Sequence, residues 1–511
     1  ADILTRVALI FGDQSLMNDY NERLFEKLNR ISTEQTQFTT TVGFERGIDQ
    51  MAKDLDNYDP YFTYIGQYCT VGALFDAKKQ FYRLISLLLS DLELIFDLRC
   101  PSPWQVISEL QIRGIISASD SVHIKVCLSI ANEIRLKTYF ADKGQKELLS
   151  PVTQYKNTTE QSADPPIFRY FDEDSLIRLL SISTCIHKHC KLFLMKYTEH
   201  QKIDKNQLGS LSPDEPSKTL IGAFYYRLQN LPKALEWMKS ESEDSLDYPV
   251  SLVGQGVIHS EYGDYEKSVE CFERALVLHY QYEGKSHMEE LPCLQNLVSS
   301  LICLGRYKKA EDVWMQAIKK HDEIYSEKDA TITLSRLIRL GGLIQRKLGD
   351  FDSAFETFKE VEKMLSKFRY VPDEDLINLY INIALTLSEL DEHAQSLEHV
   401  ERALHLSKKV FGRADLSFRL GLIHNDAAIV YEHCNQSDKA LCWYQHCLGL
   451  LQTVFGDDPH PGKRTQRQRD IVKVHAFLDS LIHKVSCLNN LGNFFLENAK
   501  QTKLWRPSKM L

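Results

Sequence analysis

Two short stretches of this sequence combine residue types that can hold a metal ion. The first contains Asp54 and Asp56, because an Asp-x-Asp pair binds the metal ions of nucleotidyl transfer when it lies on a buried strand after a Gly-Ser turn. Here the pair falls within the segment KDLDNYDP, which predicts a polar helix end or a turn. We therefore expect these two aspartates to be structural.

The second stretch contains Cys185, His187, His189 and Cys190. On a helix these side chains spread around the axis, and only Cys185 and His189 share a face. A zinc site joins one such pair to a second, distant pair, and the sequence has no second pair with that spacing. We expect no metal ion and no other cofactor.

Patterns that mark common catalytic loops are missing from the sequence. It has neither a glycine-rich phosphate loop nor the turn that exposes a nucleophilic serine. Triads built from distant residues leave no such pattern, so enzymatic activity stays open, and a chain without catalytic residues is favoured. One basic cluster is interpreted as a solvated insertion because no aromatic residues alternate with its charges, which are Lys463, Arg464, Arg467 and Arg469.

Composition sets further limits on function. The chain has 511 residues, a formal net charge of −9 and a pI near 6.0, so no basic field points to nucleic acid. No run of 18 uncharged apolar residues occurs, and we expect no membrane span. The twelve cysteines lack the spacing of a disulfide framework. They predict reduced thiols and a cytoplasmic location.

A sequence motif that is repeated between about residues 246 and 451 predicts the helices that would position any site. A small residue is followed four positions later by a bulky one and seven positions later by another small one. The five copies are Ser268–Phe272–Ala275, Ala310–Trp314–Ala317, Ala354–Phe358–Val361, Ser396–Val400–Ala403 and Ala440–Tyr444–Cys447. Subtraction of residue numbers places their first members 42, 44, 42 and 44 residues apart, which indicates stacked helix pairs.

Glycines lie five residues before three of these copies, at Gly263, Gly305 and Gly349, and predict the turn between the two helices of each pair. The whole pattern resembles the tetratricopeptide (TPR) family. The resemblance implies an all-α, right-handed solenoid in residues 218–511, with about six repeats and a C-terminal capping helix. The first helix of each repeat is expected to have a small residue at its packing position. These residues are Gly222, Gly256, Gly342, Ala384, Ala428 and Gly492, and one repeat has the larger Val298 there.

In that family the first helix of each repeat lines a concave groove. The positions expected to point into it are polar, and three arginines make one repeat basic. They are Gln295, Asn296, Arg336, Arg339, Arg346, Asn382, Asn425, Asp426, Asn489 and Asn490. Amides offer a donor and an acceptor to a peptide main chain, and arginines suit carboxylates. We predict a protein or peptide ligand, with an acidic one favoured.

The asparagine row, the period near 42 and the tails KVFG at 409–412 and TVFGDDPHP at 453–461 resemble kinesin light chain repeats. This resemblance implies a groove for acidic or aromatic cargo peptides. The heptad stretch that joins such light chains to a motor is missing from the sequence. The Lys and Asn set of chaperone-binding repeats is also missing, since Val253 and Val257 occupy those positions.

Residues 1–147 predict helices that do not repeat. One of them has Val122, Val126, Ile130 and Ile134 as its apolar stripe, which we expect to face the core. The order of LIFGD at 9–13, FDAKKQFYR at 75–83, IIS at 115–117 and EIRL at 133–136 resembles the helical region behind the nucleotidyltransferase core of PII-uridylyltransferase-like proteins. The Gly-Ser and aspartate motifs of those enzymes are missing, so no catalytic residue carries over.

Residues 148–167 are rich in Ser, Thr and Pro and predict a linker, and residues 168–217 predict a helical connector. The predicted function is an interaction scaffold that binds a partner peptide in the groove. One alternative is the non-catalytic portion of a nucleotidyltransferase-like enzyme, which an Asp-x-Asp module encoded upstream of Ala1 would favour. The second alternative is a kinesin-light-chain-like cargo adaptor, which an upstream coiled coil would favour. No pattern identifies the partner or the oligomeric state.

Overall fold

A computed structural model of the chain describes residues 14–31, 40–58, 60, 73–142, 148–149, 172–200, 208, 217–282, 289–325, 331–411 and 417–455. Within these ranges it has 18 α-helices, one π-helical segment and one two-stranded sheet. The chain divides into two compact units, residues 1–70 with 74–228, and residues 71–73 with 229–511. The all-α fold class predicted from the sequence is confirmed.

The first unit contains seven of these helices. Its elements in chain order are α1 (Gln14–Leu28), α2 (Val42–Asn57), β1 (Phe75–Asp76), a π-helical segment (Ala77–Tyr82), α3 (Arg83–Ile95), α4 (Pro103–Ile112), α5 (Ala118–Asp142), β2 (Leu148–Leu149), α6 (Glu173–His200) and α7 (Lys218–Arg227). Side-chain caps set several helix starts, because a serine or threonine oxygen satisfies a backbone N–H that has no helical acceptor. Ser102, for example, accepts from the N–H of Gln105 at 3.3 Å.

The core of the first unit is built around α3, whose leucines at 84, 88, 89 and 92 are buried. Helix α2 packs on α3 at very short range. A Cβ atom added at Gly47 would lie 2.7 Å from Ile95 Cγ1 and 3.0 Å from the carbonyl oxygen of Asp91. Only a glycine allows the two helices this approach. The strands pair in antiparallel register, with Phe75 opposite Leu149.

The apolar stripe predicted for α5 is wrong in its orientation. The helix buries Ile124, Cys127, Leu128, Ala131 and Ile134 against the unit. Of the residues predicted to face inward, only Ile134 does so fully, and Val122 is 56% exposed. Helix α5 carries apolar residues on two opposite faces, and its neighbours α3, α4 and α6 cover just one of them.

The second unit contains eleven helices, and the last ten of them form five successive antiparallel pairs. They are α8 (Leu231–Lys239), α9 (Tyr248–Glu261), α10 (Tyr265–Gln281), α11 (Glu290–Cys303), α12 (Tyr307–Ile324), α13 (Ile332–Lys347), α14 (Phe351–Leu365), α15 (Asp373–Glu389), α16 (His393–Phe411), α17 (Phe418–His433) and α18 (Ser437–Phe455). Five hairpins result, from α9–α10 to α17–α18. Each hairpin also packs on the next one along the chain.

The burial of its residues explains why the small–bulky–small motif is repeated along the sequence. Its small residues are completely buried where the two helices of a hairpin touch, as at Ala310 and Ala354. The bulky residue fills the space beside the small one of the first helix. A Cβ atom at Gly256 would lie 2.7 Å from the ring of Phe272, and one at Gly342 would lie 2.7 Å from the ring of Phe358. The predicted packing of the repeats is confirmed.

Turns within the hairpins share one backbone conformation. Gly263, Gly305 and Gly349 have φ values of 75°, 73° and 87°. This left-handed region costs glycine little, and it ends the first helix as predicted. The two remaining hairpins use Asp391 and Asn435 at the same place, with φ values of 59° and 58°. Asparagine and aspartate tolerate this conformation better than other non-glycine residues.

Several sequence predictions about chain organisation are only partly covered by the described residues. Gly222 lies on α7 in the first unit, and Gly492 lies outside the described residues. Of the predicted linker, Leu148 and Leu149 form strand β2. The domain boundaries therefore stay predictions. In the part of the chain that the structure describes, no helix combines the length and apolarity that a membrane crossing requires.

Candidate functional site

The first helices of the five hairpins form a continuous row. Helices α9, α11, α13, α15 and α17 each contact the next member of the set, in addition to their own hairpin partners. We call this set the inner row. Neighbouring first helices pack directly on each other along this row, which the family resemblance predicts to line the inner face of the solenoid.

The predicted groove residues lie on four helices of the inner row. Gln295 and Asn296 are on α11, Arg336, Arg339 and Arg346 are on α13, Asn382 is on α15, and Asn425 and Asp426 are on α17. The predicted pair Asn489 and Asn490 lies outside the described residues. The structure therefore places the eight described residues along one set of contacting helices.

The amides of the row differ in what they are free to bind. The side chain of Gln295 is nearly buried and donates from Nε2 to the carbonyl oxygen of Thr333 at 3.3 Å, which links two repeats. Asn382 is only 8% exposed. Asn296 and Asn425 are half-buried, and Asn425 makes a long 3.4 Å hydrogen bond from Nδ2 to Oδ1 of Asp426. Asn296 and Asn425 thus offer the more accessible amides.

Arg336 is engaged by the neighbouring repeat. Its Nε donates to Oδ1 of Asp375 at 2.7 Å, and its Nη2 donates to Oδ2 at 2.7 Å. Both side chains are nearly buried. A bidentate pair of this kind is among the stronger hydrogen-bonded contacts in proteins. Arg336 therefore holds α13 against α15, and the basic character of the groove depends on the other two arginines of α13.

Removal of the carboxylate from this pair is expected to destabilise the solenoid. Asp375→Ala leaves the nearly buried guanidinium of Arg336 without its partner, which costs about 2–3 kcal/mol, less than for a fully buried pair. Urea denaturation followed by circular dichroism measures the change. The control Glu273→Ala breaks an exposed ion pair with Lys309 and should cost no more than about 0.5 kcal/mol. Equal effects of the two substitutions would contradict the role given to Asp375.

Arg339 and Arg346 have incompletely satisfied guanidinium groups. The Nε atom of each is buried and has no hydrogen-bond partner among the residues described. Burial lowers the pKa of both side chains, and nearby acids partly offset this effect, Asp375 for Arg339 and Asp426 for Arg346. An arginine in a protein stays charged nonetheless. The inner row thus holds two cations whose buried Nε–H groups find no acceptor within the described ranges.

These two arginines are separated by two helical turns of α13, or about 10 Å along its axis. Leu343 lies between them and is half-buried. The sequence analysis identified the arginines and Asp426 but missed Asp375. The acidic first turn of α15, Asp373 to Asp375, was visible in the sequence. Its position opposite Arg336 depends on how the hairpins stack, which no spacing within one repeat reveals.

An ion pair joins two helices of the inner row that are not neighbours. Nη2 of Arg419 on α17 lies 3.2 Å from Oε1 of Glu261 on α9. Glu261 is nearly buried. Three hairpins separate these two helices along the chain. The row therefore curves enough for its first and last described members to come within the reach of two side chains.

The last described hairpin contains an aromatic cluster around the buried side chain of His424. The ring centroid of His424 lies 4.5 Å from that of Trp443 and 5.8 Å from that of His446. Burial, with smaller contributions from His446 and Lys408, lowers the pKa of His424 to about 3. The imidazole is therefore neutral at physiological pH, and the cluster packs the hairpin instead of presenting a charge.

The residues with metal-binding character have structural surroundings. Asp54 and Asp56 lie on helix α2, and only Asp54 is buried. His187 donates a hydrogen bond from Nε2 to the carbonyl oxygen of Leu55 at 2.9 Å. Burial raises the pKa of the Cys190 thiol to about 12. Within the described ranges, no three His, Cys, Asp or Glu side chains are close enough together to hold a metal ion. The basic cluster at 463–469 lies outside those ranges.

Comparison with known proteins identifies the repeat. A family model described as tetratricopeptide repeat matches residues 376–415, which cover most of the α15–α16 hairpin. No curated protein sequence matches the chain. Among solved structures, BtubC (BKLC) from P. vanneervenii is similar at 17% identity and a TM-score of 0.32, over 48% of this chain and 91% of that one.

Two further solved structures are similar to the chain. One is the human IFIT1 dimer with PPP-AAAA, at 12% identity and a TM-score of 0.36, over 86% of this chain and 90% of that one. The other is the TPR2AB-domain:pHSP90 complex of yeast Sti1, at 14% identity and a TM-score of 0.21, over 51% of this chain and 97% of that one. At such values the likeness says nothing about a ligand. The family match shows that this chain contains a tetratricopeptide repeat, which lies within a series of five stacked helix hairpins.

Proposed function

We propose that this protein is an interaction scaffold whose inner row binds an extended, acidic segment of a partner protein. The observation that carries the proposal is the pair Arg339 and Arg346, whose buried Nε atoms lack an acceptor in the described structure. An unsatisfied buried donor is costly, and more so on a charged group. A carboxylate of a ligand would supply the missing acceptor and offset the burial of the charge.

The surroundings of the two arginines favour a peptide over a compact anion. Half-buried amides at Asn296 and Asn425 lie on either side of α13 in the row, on α11 and α17. Each amide can donate to and accept from a peptide main chain whatever its sequence. Half-buried apolar residues also lie on helices of the inner row, including Val257 on α9, Leu343 on α13 and Ile429 on α17. These residue types suit an extended chain with acidic and apolar side chains.

Packing of the row gives the mechanism of binding. The inner-row helices are fixed by their hairpin partners and by links between repeats, such as those made by Gln295 and Arg336. Side chains held in this way lose little conformational freedom when a ligand arrives. Preorganisation of this kind improves affinity because less ordering is required on binding.

Replacement of the two arginines is expected to weaken ligand binding by at least about tenfold, since a hydrogen bond to a charged group contributes about 1.5–3 kcal/mol. The variant is Arg339→Gln with Arg346→Gln in the full chain. The probe is a set of fluorescein-labelled twelve-residue peptides in a Gly/Ala/Ser host that carry none, one, two or three glutamates. Fluorescence anisotropy measures Kd, which should fall as glutamates are added and rise with salt.

The control for this experiment is Arg402→Gln. Arg402 is exposed on α16, outside the inner row, and pairs with Glu398 of its own helix. Its guanidinium lies 5.9 Å from the ring centroid of Tyr380 on α15, but its removal changes net charge without altering any polar residue of the inner row and should leave Kd within about twofold of the wild type. A Kd that does not change with the number of glutamates would reject the inner row as the site. An equal rise in Kd for the arginine double variant and for Arg402→Gln would also reject it.

The two other roles predicted from family resemblance rest on sequence alone. A nucleotidyltransferase-associated role would require catalytic residues that this chain does not contain as a motif. A cargo-adaptor role of the kinesin-light-chain kind is a special case of peptide binding by the same row. Peptides that carry an aromatic residue beside the glutamates, added to the same probe set, would distinguish that case by a tighter Kd.

A further inference from the structure

The two arginines that carry the proposed function start from one face of helix α13. Arg339 and Arg346 are seven positions apart. At about 100° per residue, their side chains leave the helix within about 20° of each other around its axis. Their Cα atoms are about 10 Å apart along that axis. Two carboxylates that bind these arginines must therefore lie along α13, at a separation that the helix sets.

Neither arginine is satisfied by the acid beside it. Both carboxylate oxygens of Asp375 accept hydrogen bonds from Arg336 at 2.7 Å. Nε of Arg339 therefore has no partner among the described residues, although Asp375 is near. Nε of Arg346 likewise has no partner there, although Asp426 is near. A ligand has to supply two acceptors, one at each position.

The distance between the two positions discriminates among regular peptide conformations. In polyproline II, with about 3.1 Å per residue and about three residues per turn, side chains i and i+3 share a face and lie about 9 Å apart. In a β-strand, i and i+3 point to opposite faces, and i+2 and i+4 lie about 7 Å and about 13 Å away. Polyproline II differs from the arginine spacing by about 1 Å, and a strand differs from it by about 3 Å or more.

A helical ligand with carboxylates at i and i+7 would match the same distance, but the amides of the inner row favour polyproline II. Main-chain groups of a helix are hydrogen-bonded to each other, whereas those of polyproline II have no internal partner. Asn296 and Asn425 are half-buried and offer side-chain donors and acceptors. These amides suit a main chain whose N–H and C=O groups are free.

Leu343 indicates which residues fit between the two carboxylates. It is half-buried and lies about 40° around the helix axis from Arg339 and about 60° from Arg346. The two intervening residues of the ligand would pass over its side chain. Proline suits these positions, because its ring is apolar and its fixed φ of about −65° favours polyproline II.

We propose that the inner row recognises a proline-containing acidic segment in the polyproline II conformation, with two acidic residues three positions apart. This inference rests on the proposed function, because it assigns the carboxylates of that ligand to Arg339 and Arg346. It adds a spacing and a backbone conformation, which the peptide series described above does not vary.

Fluorescence anisotropy with the full chain tests the spacing at constant charge. The labelled peptides carry two glutamates at i and i+2, i+3 or i+4 in a proline/alanine host, and host peptides with one glutamate and with none complete the set. The i+3 peptide should bind at least about tenfold more tightly than the i+2 and i+4 peptides, because it alone reaches both arginines. Glycine in place of its intervening prolines should raise Kd by about threefold or more, because preorganisation is lost.

Single substitutions assign the spacing preference to its residues. Arg346→Gln should bind every two-glutamate peptide with the Kd of the one-glutamate peptide, so that the preference for i+3 disappears. Arg402→Gln, the exposed control on α16, should keep the preference. Circular dichroism checks that both variants retain the helical content of the wild type, and the peptide series on the wild type depends on neither variant.

The outcomes separate this inference from the proposed function. A Kd that is the same with no glutamate as with two would reject both. A Kd that falls with the second glutamate but is equal at every spacing would overturn the inference alone. A preference for i+2 or i+4 would show a strand, and tighter binding of an alanine-rich peptide with glutamates at i and i+7 would show a helix. Either result overturns polyproline II, and an i+3 preference that Arg346→Gln retains overturns the assignment to the two arginines.

Discussion

Replacement of Phe358 by alanine is expected to lower the free energy of unfolding by about 3–5 kcal/mol. Phe358 is completely buried in a cluster with Ala354, Val361 and Leu379. Its ring occupies the space that the missing side chain of Gly342 leaves on α13. Truncation removes the ring from the contact between two helices and creates a cavity that rigid hairpins cannot collapse. Urea denaturation followed by circular dichroism measures the loss.

The control for this substitution is Phe355→Ala in the same helix. Phe355 lies at the edge of the same cluster and is partly buried. Its truncation removes a ring of equal size but opens part of the space to solvent, and should cost less than half as much. Equal costs at the two positions would mean that the fit of Phe358 against Gly342 contributes nothing special. An unchanged urea slope is required for the comparison to report stability alone.

Acidification is expected to destabilise the last described hairpin through His424. In the folded chain its pKa is lowered to about 3, mainly by burial, whereas an unfolded histidine titrates near 6.5. Above pH 6.5 both states are neutral and the group has no effect. Between pH 6.5 and pH 3 only the unfolded chain binds the proton, so stability falls by about 1.4 kcal/mol per pH unit. The total reaches about 4–5 kcal/mol at pH 3.

Two variants isolate this effect from the other groups that titrate in acid. His424→Gln removes the titration, so the difference in unfolding free energy between wild type and variant should shrink steadily as the pH falls below 6.5. His405→Gln, at an exposed position on α16, should leave the pH profile of the wild type unchanged. Parallel profiles for wild type and His424→Gln would show that His424 takes up its proton in the folded state as readily as in the unfolded one.

The repeat architecture could be predicted because its signal lies within each repeat. Small residues such as Ala310 and Ala354 recur at a fixed period, and each is buried for the same steric reason. The left-handed turns were visible where glycine occupies them. At Asp391 and Asn435 the same turn is made by residues that also occur in many other contexts, so the sequence alone did not mark it.

The chemistry of the inner row was predicted less completely because it depends on contacts between repeats. Arg336 was expected to face a ligand, but Asp375 of the next hairpin holds it at 2.7 Å. Asn382 was grouped with Asn425, yet it is nearly buried. Both differences arise from how far each first helix turns against its neighbour, a quantity that side-chain type does not encode.

Helix α5 shows a further limit of periodicity. Its sequence carries two apolar stripes, and both satisfy the 3.6-residue period. The stripe around Val122 has the stronger β-branched pattern and was assigned to the core. Packing against α3, α4 and α6 selects the stripe that contains Cys127 and Ala131, whose smaller side chains let those helices approach. Periodicity identified an amphipathic helix but could not choose between its faces.

A solenoid in which each hairpin contacts only its neighbours is easily extended, because small rotations between successive hairpins add up along the array. The ion pair between Glu261 and Arg419 joins the first and fifth hairpins, which have three hairpins between them, and so opposes this extension. Extension of the array must therefore break this ion pair before the hairpins can rotate apart. Because Glu261 is nearly buried, dissolved ions screen this pair less than an exposed one, so the array should become only modestly more extensible as ionic strength rises.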